Sequence, residues 1–129
     1  WVLVHDAARP CVSLEDIESL IRYTVGHSVG GILGVPVSDT LKNVAEGHVL
    51  STVNRSALWH AQTPQLFRLK LLRECLQRAL AVGAAITDEA SAVEMFNYKP
   101  LIVKGSGSNI KITYPEDLAI AGFLLQQNN

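Results

Sequence analysis

Four short segments hold the side chains best suited to chemistry: His5-Asp6-Ala7-Ala8-Arg9-Pro10, Ser38-Asp39-Thr40-Leu41-Lys42, Thr87-Asp88-Glu89-Ala90-Ser91 and Asn109-Ile110-Lys111-Ile112-Thr113. Together they offer a carboxylate, an arginine, a lysine and several hydroxyls. Cations with hydroxyls suit phosphate groups, and a carboxylate suits a ribose hydroxyl or Mg²⁺. That chemistry points to a phosphorylated ligand. Each feature also has a simpler reading. Asp6 and Arg9 fit a surface ion pair in a tight loop, Thr87 and Thr113 fit helix caps, and Lys111 fits an ordinary exposed lysine. His5, His27, His48 and His60 share no metal-ligand spacing. The chain has no G-x-S-x-G, no Cys–His signature and no P-loop, so hydrolase and P-loop NTPase chemistry lack support.

The elements between these segments alternate. Trp1-Val2-Leu3-Val4 and Gly31 to Val37 read as buried strands. Between them Ser13, with Asp16 three residues on, opens a helix whose apolar stripe is Leu14, Ile17, Leu20, Ile21 and Val25, with Gly26 as the stop. Thr40 to Ala45 and His48 to Arg55 read as a hairpin around Glu46-Gly47, too thinly apolar to stand alone. Trp59, Leu66 and Phe67 read as packing residues. Arg68 to Leu80 is a helix with Leu69, Leu72, Leu76 and Leu80 on one stripe, and Thr87 caps a shorter helix through Phe96. Leu101 to Val103 and Ile110 to Thr113 read as extended, and Thr113 with Glu116 makes a capping box for a last helix to about Leu125. This alternation predicts an α/β fold, a mostly parallel sheet with helices on both faces. In such sheets ligands bind outside the carboxyl ends of the strands, where the four segments fall.

Composition narrows the function. The 129 residues carry 11 Lys plus Arg against 12 Asp plus Glu, a net charge of −1, which argues against nucleic acid or an anionic membrane as partner. Hydrophobic residues make up 48% and charged residues 18%, enough for a packed single domain and incompatible with disorder. No apolar run approaches the roughly 20 residues that span a bilayer, and no signal peptide is visible. Cys11 and Cys75 stand alone, as expected for reduced thiols in the cytoplasm. The chain opens without Met on an apolar strand, which leads us to expect part of a longer protein.

Six motifs in order sharpen this reading. V-H-D-A-A-R-P at 4–10, D-T-L-K at 39–42, V-N-R-S-A-L-W at 53–59, Q-T-P-Q-L-F at 62–67, T-D-E-A-S at 87–91 and N-I-K-I-T-x-P-E-D-L at 109–118 closely resemble the 2-C-methyl-D-erythritol 4-phosphate cytidylyltransferase family. The ribitol-5-phosphate cytidylyltransferases share the plan, but tend to carry a bulkier H-D-A-V-R-P-F and a T-D-A-C where this chain has Ala8 and Glu89-Ala90-Ser91. The resemblance implies a Rossmann-like nucleotide-diphospho-sugar transferase fold with a projecting β-arm over 39–59. It implies Mg²⁺-assisted transfer of CMP from CTP to methylerythritol phosphate, with release of pyrophosphate. By the same resemblance Asp6 sits by the cytidine ribose and the metal, with Ala7 beside it. Arg9 and Thr40 face the substrate polyol, Arg55 and Lys111 position the substrate phosphate, and Thr63 and Thr87 add hydroxyl contacts. The arm implies a homodimer, with Arg55 reaching the partner's site. Ser108 departs from the acidic residue many relatives place before N-I-K. The family's N-terminal Gly-rich CTP loop is absent from these 129 residues, so we expect the chain alone not to turn over. The alternative is a non-catalytic oligomerising fragment.

Overall fold

In the computed structural model, which describes residues 1–127, six strands and four helices follow one another. The strands are β1 (Val2–Val4), β2 (Gly30–Pro36), β3 (Leu41–Ala45), β4 (His48–Val53), β5 (Trp59–Phe67) and β6 (Leu101–Lys104). The helices are α1 (Leu14–Thr24), α2 (Leu69–Ala81), α3 (Glu89–Glu94) and α4 (Pro115–Gln127). The main sheet has the order β1-β5-β2-β6. It is mixed, which corrects the expectation of a mostly parallel sheet: β5 runs antiparallel to both β1 and β2, and only β2 and β6 pair in parallel.

The correction comes from β5, whose residues the pattern reading took as packing. Its W-H-A-Q-T-P-Q-L-F contains two glutamines and a proline, so it shows neither an apolar run nor clean alternation. It leaves the arm and inserts between β1 and β2. Register moves from Ile32 opposite Gln65 to Leu33 opposite Gln62, so Thr63 and Pro64 bulge out of the ladder. Pairing with β1 ends at Val4 opposite Gln65, on the near side of that bulge. Bulges re-aim side chains, and this one lies beside the end of β1. At the far end of the pairing Gly30, at φ +151°, lets the β5 backbone come close, since a Cβ there would lie 2.4 Å from the Leu66 carbonyl oxygen.

Alternate side chains on β2 and β5 face opposite ways. Ile32 and Phe67 pack with Leu72, Cys75, Ala90 and Val93 of α2 and α3, whereas Leu33 and Leu66 pack with Leu20 of α1 and Val103 of β6. Helices therefore cover both faces, as expected. The helical stripes differ from the periodicity reading. On α1 the buried positions are Asp16, Leu20 and Thr24, and Leu14 is 78% exposed. On α2 they are Leu72, Cys75 and Ala79, while Leu69 and Leu80 lie outside. Both helices carry more apolar side chains than one face can bury, and the small residues select the face that approaches its neighbour.

The Ser13 cap forms as expected, its Oγ accepting from Asp16 N at 3.1 Å. Two other caps differ. Asp88, not Thr87, caps α3, in a capping box with Ser91. Ahead of α4 the Asp117 carboxylate accepts from the N–H groups of both Thr113 and Tyr114 at 2.8 Å, in place of a Thr113–Glu116 box. Residues 110–113 form no strand and are fastened to the β1 loop by Ile112 N donating to the Ala8 carbonyl at 2.8 Å. The arm is present: β3 and β4 pair in a separate two-stranded sheet around Glu46 and Gly47, both at positive φ as a tight hairpin turn requires. Every residue of β4 is exposed.

Candidate functional site

β1, β2 and β6 point the same way, so their carboxyl ends share one edge of the sheet. There the loop after β1, the bulge of β5, the approach to α3 and the segment after β6 enclose a cleft of about 470 Å³. Asp6, Arg9, Thr63, Thr87, Asp88 and Lys111 line it. Five of the eight residues expected for ligand contact or catalysis, Asp6, Arg9, Thr63, Thr87 and Lys111, are brought to this one surface from four segments more than 20 residues apart.

Asp6 is the centre of this cluster. Its Oδ2 lies 2.9 Å from the Lys111 ammonium and its Oδ1 accepts from Ala8 N at 3.1 Å. Its own N–H donates to Thr63 Oγ1 at 2.9 Å. The Lys111 hydrogen bond, helped by the Ala8 N–H, holds the Asp6 carboxyl below the usual carboxylate range, so it is an anion at neutral pH. Asp6 therefore pairs with a lysine 105 positions away and makes no ion pair with Arg9, the partner its spacing suggests.

Arg9 is committed to the backbone instead. Nη1 donates to the Asn109 carbonyl at 2.7 Å and Nη2 to the Ala61 carbonyl at 3.3 Å. Partial burial pulls its pKa down, opposed by the Asp6 charge, but a guanidinium remains protonated in any case. Donors not spent on carbonyls are what it has left for a ligand.

The hydrogen bonds of His5 have one consistent polarity while the ring is neutral. The Arg9 carbonyl can only accept, so His5 Nε2 donates to it at 3.0 Å. Nδ1 then accepts the Thr63 hydroxyl at 3.0 Å, and Thr63 Oγ1 accepts from Asp6 N. Thr63 thus offers a ligand a lone pair and no proton. The sequence gives His5 no metal-ligand spacing and does not single out three buried amides beside it. Gln65, 1% exposed, donates to Asp88 Oδ2 and accepts from Ala90 N, both at 2.9 Å, which ties β5 to the start of α3. Gln62 donates to the Ser106 carbonyl at 2.9 Å, and Asn109 donates to the Thr63 carbonyl at 2.8 Å. The one available signal is their place inside the Q-T-P-Q-L-F and N-I-K-I-T motifs.

Three expected residues lie elsewhere. Ala7 is exposed in the β1 loop and does not line the cleft. Thr40 and Arg55 sit at the base of the arm, outside the cleft, with Arg55 Nη1 donating to the Ser38 carbonyl. Ser108 closes the preceding loop on Ser106, their hydroxyls 2.6 Å apart.

No group of three or more His, Cys, Asp or Glu side chains gathers for a metal among the described residues. Mg²⁺ asks less of a protein when it arrives on phosphates, since one carboxylate and several waters then complete its shell. Asp6 fits that part, because its Oδ2 already faces a cation and the carboxyl is ionised.

The family model for 2-C-methyl-D-erythritol 4-phosphate cytidylyltransferase matches residues 1–127. The enzyme of that name from Serratia proteamaculans is 57% identical over 129 residues, covering 98% of this chain and 55% of its own. That of Yersinia pseudotuberculosis is 56% identical, covering 98% and 54%. Among solved structures, the Francisella tularensis cytidylyltransferase superposes with a TM-score of 0.88 at 46% identity, over 96% of this chain and 58% of that one. The Thermus thermophilus enzyme gives 0.88 at 35% identity, over 97% and 61%. The chain spans about half the length of the curated relatives it matches. With its motifs and its fold in agreement, the chain belongs to the 2-C-methyl-D-erythritol 4-phosphate cytidylyltransferase family.

Proposed function

We propose that this chain forms the acceptor side of a cytidylyltransferase site, at which CMP passes from CTP to 2-C-methyl-D-erythritol 4-phosphate. Pyrophosphate leaves and 4-diphosphocytidyl-2-C-methyl-D-erythritol forms, a step of non-mevalonate isoprenoid synthesis. The observation that carries this reading is the Asp6–Lys111 pair at 2.9 Å in a cleft with Arg9, Thr63 and Thr87. A phosphate monoester has its second pKa near 6, so the attacking oxygen is already ionised at neutral pH. No general base is required, and the task is to bring two anions together. Lys111 supplies a mobile point charge for the acceptor phosphate. Asp6, relieved of its lysine, accepts from ligand hydroxyls or takes one position of the nucleotide's ion. Arg9 and the lone pair of Thr63 orient the polyol, and the Thr87 hydroxyl contributes from the α3 side. Mg²⁺ supplies charge neutralisation on the triphosphate when bound.

Arg55 and Thr40 enter this reading through a second copy. The arm buries little of its own apolar surface, with Val44, Val49 and Leu50 exposed, and pairing with another arm in a two-fold homodimer would cover them. Arg55 at its base would then serve the partner's cleft. The net charge of −1 supports small phosphorylated ligands over nucleic acid or membrane, and the two unpaired buried thiols support a cytoplasmic location.

The test is pyrophosphate release by the chain assayed at the full length of its relatives, with CTP and either methylerythritol phosphate or ribitol 5-phosphate. Turnover dependent on methylerythritol phosphate is expected. Preference for ribitol 5-phosphate would move the chain to the sister activity, and no turnover with either would leave the non-catalytic reading.

A further inference from the structure

We propose that Asn109 is a positioning residue that sets Lys111 against Asp6. Asn109 is fully buried, at 0% exposure, and its side-chain NH₂ and backbone carbonyl bond the elements that build the cleft, while its side-chain Oδ1 has no partner. Its Nδ2 donates to the Thr63 carbonyl at 2.8 Å, and its own carbonyl accepts Arg9 Nη1 at 2.7 Å and Gln62 Nε2 at 3.4 Å. Its N–H closes the preceding loop on the Ser106 carbonyl at 3.2 Å.

Thr63 makes this arrangement a register. Its hydroxyl oxygen takes the Asp6 N–H while its carbonyl takes the Asn109 amide. The β1 loop and the 109–113 segment are thereby fixed to one bulged residue of β5. Lys111 follows Asn109 by two residues, and the next backbone bond, Ile112 N to the Ala8 carbonyl, secures the far side. The ammonium is thus held between two anchors, 2.9 Å from Asp6. Lys111 itself is half exposed and has a long, flexible stem, so little else restrains it. Gly105 belongs to the same device, because a Cβ there would lie 2.6 Å from Gln62 Oε1 and press on the glutamine that braces the loop.

Losing the residue that orients a metal-ligating side chain typically costs about 10–100-fold in affinity or activity, and the same scale is expected for Asn109 orienting Lys111. The activity part of the test rests on the cytidylyl-transfer reading, so a second readout is needed that does not. Lysines are methylated reductively with ¹³C in the full-length form, which keeps their charge, and the Lys111 signal is assigned by its loss in Lys111→Arg. Asp6→Asn should move that signal and so calibrate it. Asn109→Ala should move it the same way and lower kcat about 10–100-fold. The double variant with Lys111→Ala should be little slower than Lys111→Ala alone, as expected when one residue acts through the other. An Asn109 that merely stabilises the fold would lower Tm, leave the Lys111 signal in place and multiply with Lys111→Ala, and that result overturns the proposal. Failure of the transfer reading shows itself separately, as near-normal turnover in Lys111→Ala. Should Asn109→Ala not fold, Asn109→Asp keeps the volume and sets an oxygen against the Thr63 carbonyl. In the wild-type protein the Asn109 side-chain NH₂ should exchange slowly with solvent, and rapid exchange would equally overturn the proposal.

Discussion

Lys111→Ala separates catalysis from stability more sharply than any other change in the cleft. Its ion pair with Asp6 is partly solvated, with the two side chains 53% and 30% exposed. Exposed pairs contribute at most about 1 kcal/mol. In a domain of this size that is a Tm shift of about 4 °C or less. The backbone bonds that hold the segment, from Asn109 and Ile112, do not involve the lysine side chain. Loss of one preorganised charge facing a reacting phosphate, by contrast, costs about 10²–10³ in kcat, or about 2.7–4 kcal/mol of transition-state stabilisation. We therefore expect a large fall in rate with an almost unchanged melting curve. The assay is pyrophosphate release at saturating CTP and methylerythritol phosphate in the full-length form, beside thermal unfolding followed by circular dichroism. Turnover within a few fold of the parent would refute the reasoning and return Lys111 to the status of a surface lysine. A rate loss matched by a steep fall in Tm would refute it as well, because the lysine would then be structural.

Two further outcomes follow from the arm and from the last helix. If Arg55 serves the partner's cleft, mixing inactive Arg55→Ala and Lys111→Ala subunits should restore about a quarter of the parental rate, since half the dimers are mixed and each has one intact site. Demonstrated subunit exchange with no recovery would confine Arg55 to its own subunit. Asp117, whose carboxyl the Tyr114 and Thr113 N–H groups hold below its ordinary pKa, should make α4 sensitive to acid. A depressed folded-state pKa stabilises above the unfolded value near 3.8 and ceases to do so as pH falls through the folded one. Asp117→Asn should thus melt lower than the parent at pH 7, and the two melting temperatures should converge as the pH falls through the depressed folded-state pKa. A gap that persists at low pH would mean the carboxylate charge is not what caps this helix.

The sequence by itself determined the alternation of helices with strands, the Ser13 cap, the arm and the family. It also determined four chemically rich segments, three following strands and one leading into α3. These rest on neighbours within a few residues, where periodicity, turn residues and motif order report directly. Three things were decided only by the tertiary structure. The β5 strand was hidden because Gln62 and Gln65 are polar and Pro64 interrupts the pattern; burial between β1 and β2, with amide partners at Ser106 and Asp88, is what makes that sequence a strand. Asp6 and Arg9, three residues apart, invite an ion pair, but folding brings Lys111 to the carboxylate and backbone carbonyls to the guanidinium. Asn109 looks like a loop residue in its motif, and only the approach of Thr63 from 46 residues away turns it into the centre of a buried network. Local pattern records what a residue prefers, whereas the partners that satisfy a buried amide or charge come from distant segments and exist only once the chain has closed on itself.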